Sequence, residues 1–130
     1  MKYKSGFKYK LEVSEWTQLD LCPEKDICTN YAFLSHDGVL TIYAGYTWDG
    51  PSGPTLDTDD VMTPSLIHDC LYQLMAEGFL PSNYRRAADK ELTRLMKDRG
   101  VNWLRRSIWW RGVRLAGGAH LEPNEVKEVP

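Results

Sequence analysis

Two helical patterns in the sequence carry residues that can form a hydrolytic site. His68, Asp69 and Tyr72 lie in the segment PSLIHDCLYQL, and Asp89 lies in the later segment RRAADKEL. At 100° per residue, His68 falls at the edge of the apolar face of its helix, with Tyr72 one turn further on. If the two helices pack antiparallel, the Asp89 carboxylate can meet His68 or Tyr72. An imidazole held by a carboxylate at one nitrogen keeps the other nitrogen as a base.

Asp69 points away from the apolar centre of its helix and has a different predicted role. The preceding loop contains Asp49, Gly50 and Gly53 among several prolines. Calcium takes roughly six to eight oxygen ligands, which commonly combine carboxylates with backbone carbonyls. We therefore expect a candidate Ca²⁺ site at Asp69, Asp49 and the carbonyls of Gly50 and Gly53, where an ion would stabilise an oxyanion. Further carboxylates follow nearby, at Asp57, Asp59 and Asp60.

Each of these residues also has a purely structural explanation. His68 can be a hydrogen-bonded core histidine, and Asp89 can pair with Arg85 or Arg86 on the surface. The acidic residues at 57, 59 and 60 can favour the start of a helix through its dipole. The hypothesis of one shared site depends on four residues, His68, Asp69, Tyr72 and Asp89, occurring together with the Gly/Pro loop.

The segment before this loop predicts a small antiparallel sheet. Alternation of apolar and polar residues over 7–13 indicates a half-buried strand. Asp37-Gly38 between two apolar runs predicts a hairpin over residues 30–46, with positive φ at both turn positions. The polar segment 17–29 is predicted to be a loop, and His36 is expected to be exposed beside the turn.

Three helices are predicted after the sheet. The first begins at Pro64 with Thr63 as its N-cap, and it runs to about Ala76. The second begins after residue 82 and ends at 100, and the third begins after 102 and fades at 117–118. The fold class is therefore α+β: a small N-terminal sheet with the hairpin at 30–46, followed by three packed helices. We expect one globular domain over 1–117 and a polar C-terminal tail over 118–130, extended or disordered.

The third helix combines aromatic, basic and aliphatic residues. Leu104, Ile108 and Leu115 form its predicted inward stripe, and its other residues include three tryptophans and four arginines: Trp103, Trp109, Trp110, Arg105, Arg106, Arg111 and Arg114. Three interpretations remain open. The helix can lie at lipid head groups, it can dock another protein, or it can be a central helix contacted on several sides.

The charge is unevenly distributed along the chain. Residues 81–115 contain ten Lys or Arg and three Asp or Glu, a charge of +7, so that the remainder carries −9 and the chain −2. A basic half favours an anionic partner or forms a solvated helical face. Nucleic acid is not an expected partner, because the whole chain is slightly acidic and contains no recognised DNA or RNA motif.

Three cysteines do not form a disulfide framework, and their spacing matches no zinc ligand set. Cys22 and Cys28 can bridge, but we expect reduced thiols, with Cys70 as a small core residue. The sequence shows neither a signal peptide nor a transmembrane segment.

Two resemblances follow from these motifs. YTWDGPSGP, PSLIHDCLY and RAAD, within about residues 40–117, resemble an uncharacterised bacteriophage and prophage family of unknown function. More distantly, a Gly-rich loop, His-Asp-x-x-Tyr and an Ala-flanked Asp are similar to the phospholipase A2 core. That resemblance implies His68 as the base, Tyr72 and Asp89 as its supports, and Asp69 with loop carbonyls as calcium ligands. The chain departs from that family in its few cysteines and in the Trp48-Asp49 of its loop.

The resemblance to the phage family implies the host bacterial cytoplasm or a phage particle as the expected location. Two functions are therefore expected. The first is a phage-encoded, calcium-assisted hydrolase of an ester such as a phospholipid, acting at a membrane surface. The alternative is a non-enzymatic virion or accessory protein that binds a host or phage protein through the third helix. In the alternative, the His68–Asp89 pair is structural.

Overall fold

The computed structural model of the chain describes residues 3–4, 9–48 and 59–128, with side chains over 9–48 and 61–116. Within these ranges the chain forms seven short strands and then three α-helices, which confirms the predicted α+β class. The strands are β1 (Tyr3–Lys4), β2 (Tyr9–Leu11), β3 (Glu15–Gln18), β4 (Ile27–Cys28), β5 (Ala32–Leu34), β6 (Val39–Ile42) and β7 (Thr47–Trp48). The helices are α1 (Asp59–Ala76), α2 (Arg85–Asp98) and α3 (Trp103–Glu128), with a 3₁₀ turn at Ser82–Tyr84 before α2.

The strands form two antiparallel sheets, in the orders β1-β2-β7 and β3-β6-β5-β4. The predicted hairpin is β5–β6, in which Leu34 pairs with Leu40. Its turn differs from the prediction: Gly38 has φ of 92°, but no non-glycine residue in the described ranges has positive φ. The amide of Gly38 donates to the carbonyl of Ser35, and the amide of Ser35 to Val39. Residues 36–38 therefore form a three-residue loop with glycine in the left-handed position. Loops of this kind are a common alternative to two-residue Asn-Gly turns in β-hairpins.

Four strands were not predicted, of which β1 pairs with β2 at the edge of the first sheet. The sequence over 17–29 was interpreted as a loop, but β3 overlaps its start and pairs with β6, and β4 lies near its end and pairs with β5. These are the outer strands of their sheet, where polar residues are tolerated on both faces and the apolar alternation is lost. β7 is also new and pairs with β2. The predicted strand over 7–13 is shorter, because Glu12 and Val13 form a bend; residues 7 and 8 lie outside the described ranges.

The first helix begins earlier than predicted. α1 starts at Asp59, so Thr63 is not its N-cap and Pro64 lies inside the helix. An interior proline lacks one helical hydrogen bond and costs about 3 kcal/mol. The additional turn buries Val61 and Met62 completely, and burial of such side chains contributes about 1.5–3 kcal/mol each. Burial therefore offsets the proline, while the predicted end at Ala76 is observed.

The core has two parts. In the larger one the predicted inward face of α1, which includes Ile67, Leu71 and Leu74, packs in one buried cluster with the sheet residues Leu34 and Leu40. In the smaller one Val61 of α1, Leu92 and Met96 of α2, and Val101 are buried together, with Trp109 and Val113 of α3 packed against them. α2 therefore lies between α1 and α3 and contacts both.

The third helix presents a different face from the one predicted. Leu104, Ile108 and Leu115, the expected inward stripe, are 62%, 44% and 82% exposed, whereas Trp109 and Val113 face the core. Apolar residues occur nearly all round this helix, so its sequence period does not select one face. Arg85 instead favours the observed orientation of α3, because its side chain donates to the carbonyls of Val113 and Arg114.

The ends of the helices follow local sequence signals in most cases. The Asn102 side chain accepts a hydrogen bond from the amide of Arg105 at 3.0 Å, so it caps the start of α3. The backbone of α3 continues to Glu128 instead of ending at Gly117-Gly118, and the tail over 118–128 is therefore helical, not extended. An interior glycine costs about 1 kcal/mol relative to alanine, which weakens a helix without ending it.

Neither disulfides nor membrane-spanning helices are found in the described ranges. All three cysteines have free thiols, with Cys22 and Cys28 exposed and Cys70 buried as predicted. Among the described residues, no helix combines the length and the apolar composition needed to cross a bilayer.

Gly38→Ala is expected to lower the free energy of unfolding by more than Gly45→Ala. Both glycines have positive φ, 92° and 97°, which costs an L-residue about 1–2 kcal/mol. A Cβ at Gly38 would also lie 2.7 Å from the Leu19 carbonyl oxygen, whereas a Cβ at Gly45 meets nothing within 4 Å. Urea unfolding of both variants separates the steric cost from the conformational cost. Equal losses would contradict the close packing at Gly38.

Candidate active site

The structure brings His68 and Asp89 into contact, 21 positions apart in the sequence. His68 Nε2 lies 2.8 Å from Asp89 Oδ1. His68 lies on α1 and is 7% exposed, and Asp89 lies on α2 and is completely buried. The small residue Ala88 beside Asp89 is also completely buried, which is consistent with the close approach of two helices expected from the sequence. The predicted contact is therefore present.

Tyr72 joins the same carboxylate. Its hydroxyl donates to Asp89 Oδ1 at 2.6 Å, and its ring packs against the His68 ring with 4.3 Å between the centroids. Burial raises the pKa of Tyr72 far above its ordinary value, and the hydrogen bond to the Asp89 carboxylate raises it further. Tyr72 is therefore a protonated donor at neutral pH.

A fourth member, Arg114, was not predicted. Its guanidinium donates from Nη1 to Asp89 Oδ2 at 2.8 Å, and its side chain is 28% exposed. The surface alternatives do not form in the expected way: Arg85 binds backbone carbonyls of α3, and the guanidinium of Arg86 lies over the Trp110 ring. The sequence signal was the cluster of arginines in the third helix, but periodicity does not show which one turns toward α2.

Asp89 is consequently a buried carboxylate with donors on both oxygens. Burial alone would raise its pKa, but the hydrogen bonds from His68, Tyr72 and Arg114 outweigh burial and hold the pKa below the ordinary 3.8. Asp89 is therefore ionised at neutral pH. Because its carboxylate can only accept, the His68 nitrogen that faces it must carry the proton.

The other His68 nitrogen, Nδ1, faces away from Asp89, and in the neutral form of the ring it is the acceptor. It lies 4.0 Å from Oδ1 of Asp69, which is longer than a direct hydrogen bond. The Asp69 side chain is 37% exposed, compared with 9% for His68. The basic nitrogen of His68 is thus directed toward the more exposed side of α1, where a water molecule can be held between the two groups.

The predicted metal ligands are only partly within the described residues. Asp69 is described, while Asp49, Gly50 and Gly53 lie outside the described ranges, as do Asp57 and the side chains of Asp59 and Asp60. α1 begins at Asp59, so Asp59 and Asp60 belong to its first turn. Acidic residues at this end of a helix interact favourably with the helix dipole, as the structural explanation expects. Among the side chains that are described, no group of three or more His, Cys, Asp or Glu residues is arranged to hold a metal ion.

A second buried carboxylate, Glu91, was also missed by sequence reasoning. It is 3% exposed, and its Oε2 accepts hydrogen bonds from the amides of Asp20 and Leu21 at 2.7 and 2.8 Å. Arg94 pairs with its other oxygen at 2.6 Å. Every partner is backbone or a neighbouring arginine, so Glu91 fastens the segment after β3 to α2 and has a structural role.

A second histidine–aspartate pair, His36 with Asp26, differs from the buried pair in its exposure. His36 is exposed beside the hairpin turn, as predicted, and its Nδ1 lies 2.9 Å from Asp26. The His36 side chain is 68% exposed and that of Asp26 is 50% exposed. Water therefore screens this pair, whereas the His68–Asp89 pair is shielded.

Two cavities bounded by described residues lie away from His68. One is an open groove of about 480 Å³ along α3, and the other, about 380 Å³, lies between the β4 region and the 3₁₀ turn. Neither is lined by any of the four residues His68, Asp69, Tyr72 and Asp89. The described neighbour of His68 Nδ1 with the greater exposure is Asp69; residues 49–58 lie outside the described ranges.

Comparisons with protein-family models, with curated proteins and with solved structures find no match to this chain. The geometry of the site is therefore the basis for its chemistry. That geometry is an imidazole oriented at one nitrogen by an ionised carboxylate, with the other nitrogen directed away from that carboxylate.

Arg114→Met is expected to lower the free energy of unfolding by about 1–3 kcal/mol, because it leaves Asp89 Oδ2 buried without its charged donor. Arg111→Met is the matched control on the same helix, since Arg111 is exposed and its loss should cost less than about 0.5 kcal/mol. Both values are measured by urea unfolding at neutral pH. Similar costs for the two variants would contradict the role of Arg114.

The same pair of proteins gives a pH test. An ionised Asp89 with a lowered pKa stabilises the folded state above the ordinary pKa of 3.8, and this contribution is lost as the pH falls through the lower folded-state value. Without Arg114 the carboxylate protonates more easily. The acid-induced loss of stability should therefore begin at a higher pH in Arg114→Met than in Arg111→Met.

Proposed function

We propose that the protein is a phage-encoded hydrolase of the phospholipase A2 type, which cleaves a carboxylic ester of a phospholipid. The observation that carries the proposal is the His68 Nε2–Asp89 Oδ1 contact of 2.8 Å, with Tyr72 on the same oxygen. These are the residues that the resemblance to the phospholipase A2 core assigns to the base and its supports. The phage origin is supported by the sequence resemblance alone.

In the proposed reaction Nδ1 of His68 removes a proton from water as the water oxygen attacks the ester carbonyl carbon. The ionised Asp89 stabilises the imidazolium that forms, in the same way as the carboxylate of a hydrolase triad. The tetrahedral intermediate then collapses with cleavage of the bond to the alkoxy oxygen, and the imidazolium returns the proton to that oxygen. The products are a fatty acid and a lysophospholipid.

Tyr72 and Arg114 act on the orienting carboxylate. Both donate to Asp89, so they fix the direction of its oxygens and keep it ionised. Since Asp89 is completely buried, its charge acts on His68 through a medium of low dielectric constant, where it has more effect than in water. The ring of Tyr72 also limits rotation of the His68 ring by direct packing.

Calcium remains part of the proposal through Asp69. Its carboxylate is partly exposed and lies 4.0 Å from the basic nitrogen of His68, and oxygen donors of this kind suit a hard cation. Asp49 and the carbonyls of Gly50 and Gly53 would complete the ligand set. When bound, the ion would supply charge stabilisation of the ester oxygen.

The test is an assay of fatty-acid release from mixed phospholipid vesicles, with calcium or with a chelator. His68→Gln should reduce the rate by about 10²–10⁴-fold, because glutamine can still donate to Asp89 but is not a base at neutral pH. His36→Gln is the matched control: it removes an exposed histidine that also faces an aspartate, and it should leave the rate unchanged.

The outcomes separate the parts of the proposal. No fatty-acid release under any condition would exclude the phospholipid hydrolase. Release that is equal in calcium and in chelator would retain the hydrolase and exclude the role of calcium. Equal losses in His68→Gln and His36→Gln would show that the activity does not depend on the buried pair.

A second candidate function is a non-enzymatic virion or accessory protein with a structural His68–Asp89 pair. The observation that favours it is the position of Asp89 on α2, whose oxygens are bonded by residues from the other two helices, α1 and α3. Such a network stabilises helix packing without any reaction. A partner protein from the host or the phage would then bind elsewhere on the surface.

Stability measurements on the same variants distinguish the two functions. In the structural case, His68→Ala should lower the free energy of unfolding by about 1–3 kcal/mol, since it removes a hydrogen bond and leaves a gap beside Tyr72. His68→Gln should recover part of that loss, and neither variant should change any enzymatic rate. A variant that retains wild-type stability but loses hydrolysis would support the enzyme instead.

A further inference from the structure

The outer surface of α3 joins exposed apolar side chains to a groove. Trp103, Leu104, Ile108 and Leu115 are 71%, 62%, 44% and 82% exposed. Two of the aliphatic residues, Leu104 and Ile108, lie one turn apart and line the groove of about 480 Å³ together with Trp103. Large apolar side chains concentrated on one helix face of a soluble domain indicate an interaction surface rather than a chance distribution.

The same groove has basic residues and no acidic ones in its lining. Arg106 and Arg111 contribute from α3, and Thr93 contributes from α2. Between Arg99 and Leu121 the sequence has no Asp or Glu. A ligand in this groove therefore meets positive charge from the first part of α3, where neither the groove lining nor residues 103–121 contain a compensating carboxylate.

The adjacent face of α2 extends the positive charge. Arg86, Lys90 and Lys97 lie at helical spacing from Thr93, which lines the groove, and all three are exposed. The guanidinium of Arg86 is 5.8 Å from the centroid of the Trp110 ring, so this end of the row is directed toward α3. Apolar side chains are thus bordered by cations on the α2 side.

We infer that this surface, defined by Trp103, Leu104, Ile108 and Leu115 with the bordering Arg86, Lys90, Lys97 and Arg111, binds an anionic phospholipid surface. The charge complementarity selects anionic over neutral lipid. Four exposed apolar side chains with tryptophan and arginine beside them match a helix that lies in the plane of a membrane interface. An acidic peptide or another polyanion would use the charges but would not require the exposed aliphatic side chains.

This inference goes beyond the proposed reaction and does not depend on it. The groove is nevertheless connected to the candidate site through two side chains. Trp110 lines the groove, and the guanidinium of Arg114 lies 5.7 Å from the Trp110 ring centroid. Arg114 in turn donates to Asp89. A lipid surface on α3 would therefore lie two residues away from the buried carboxylate.

The experiment is flotation of the full chain with vesicles of diether phospholipids, which contain no carboxylic ester to hydrolyse. Vesicles of phosphatidylglycerol are compared with vesicles of phosphatidylcholine at low and high salt. The chain should float with the phosphatidylglycerol vesicles, and the bound fraction should fall at high salt. Equal binding to both lipids, or binding to neither, would overturn the inference whether or not the protein is a hydrolase.

Two pairs of variants test the two components of the surface. The double variant Leu104→Ser, Ile108→Ser should weaken vesicle binding about tenfold or more, whereas Trp16→Ser, which changes a 70% exposed tryptophan on β3, should not. Arg111→Glu should weaken binding to phosphatidylglycerol more than Lys25→Glu, an equal change of charge at an exposed position outside α2 and α3. Because all of these side chains are largely solvent-exposed, the variants are expected to fold.

A soluble polyanion distinguishes the class of partner. Polyglutamate is titrated against the wild type and the double variant, with changes in tryptophan fluorescence as the readout. Weak polyglutamate binding compared with phosphatidylglycerol vesicles supports the lipid surface. Tight polyglutamate binding that persists in the double variant would assign the surface to an acidic protein and would overturn the inference.

Discussion

The helical half of the molecule depends on the burial of one negative charge. Asp89 is completely buried on the middle helix, and an unpaired carboxylate there would cost several kcal/mol. Its neighbours on the other two helices supply the compensation: His68 and Tyr72 from α1, and Arg114 from α3. Apolar packing is not directional, but these hydrogen bonds require one relative position of the three helices. The carboxylate therefore determines how α1, α2 and α3 are registered against each other.

This constraint explains the orientation of the third helix. With Arg114 turned toward Asp89, and with Arg85 bound to the carbonyls of residues 113 and 114, α3 must place Trp109 and Val113 against the core. The aliphatic residues at 104, 108 and 115 then face outward. The exposed apolar surface is thus a consequence of how the buried charge is satisfied. The same helix links the two features, because Trp110 lies between the groove and Arg114.

Sequence reasoning was most successful where one period dominated. The apolar face of α1 was unambiguous, and it placed His68 and Tyr72 together at the border where Asp89 could reach them. It failed where contacts between residues distant in the sequence decided the structure. Burial of Val61 and Met62, which precede Pro64, extended α1 toward the N-terminus. Pairing with β6 stabilised the polar strand β3. Arg114 could not be chosen among four arginines, since a partner on another helix made the choice. The glycine loop before α1 was assigned its role by resemblance, and residues 49–58 lie outside the described ranges.

The arrangement also bears on whether the imidazole is structural or reactive. Arg114 alone neutralises the charge of Asp89, and Tyr72 supplies a second donor, so the carboxylate does not need a histidine to be buried. A neutral donor such as glutamine would keep a hydrogen bond to Asp89, although it would not reproduce the packing of the ring against Tyr72. Histidine also adds a second ring nitrogen, which lies on the side of Asp69, a partly exposed carboxylate. This arrangement, with one ring nitrogen on the buried carboxylate and the other on the side of Asp69, supports the proposed role of His68 as a general base.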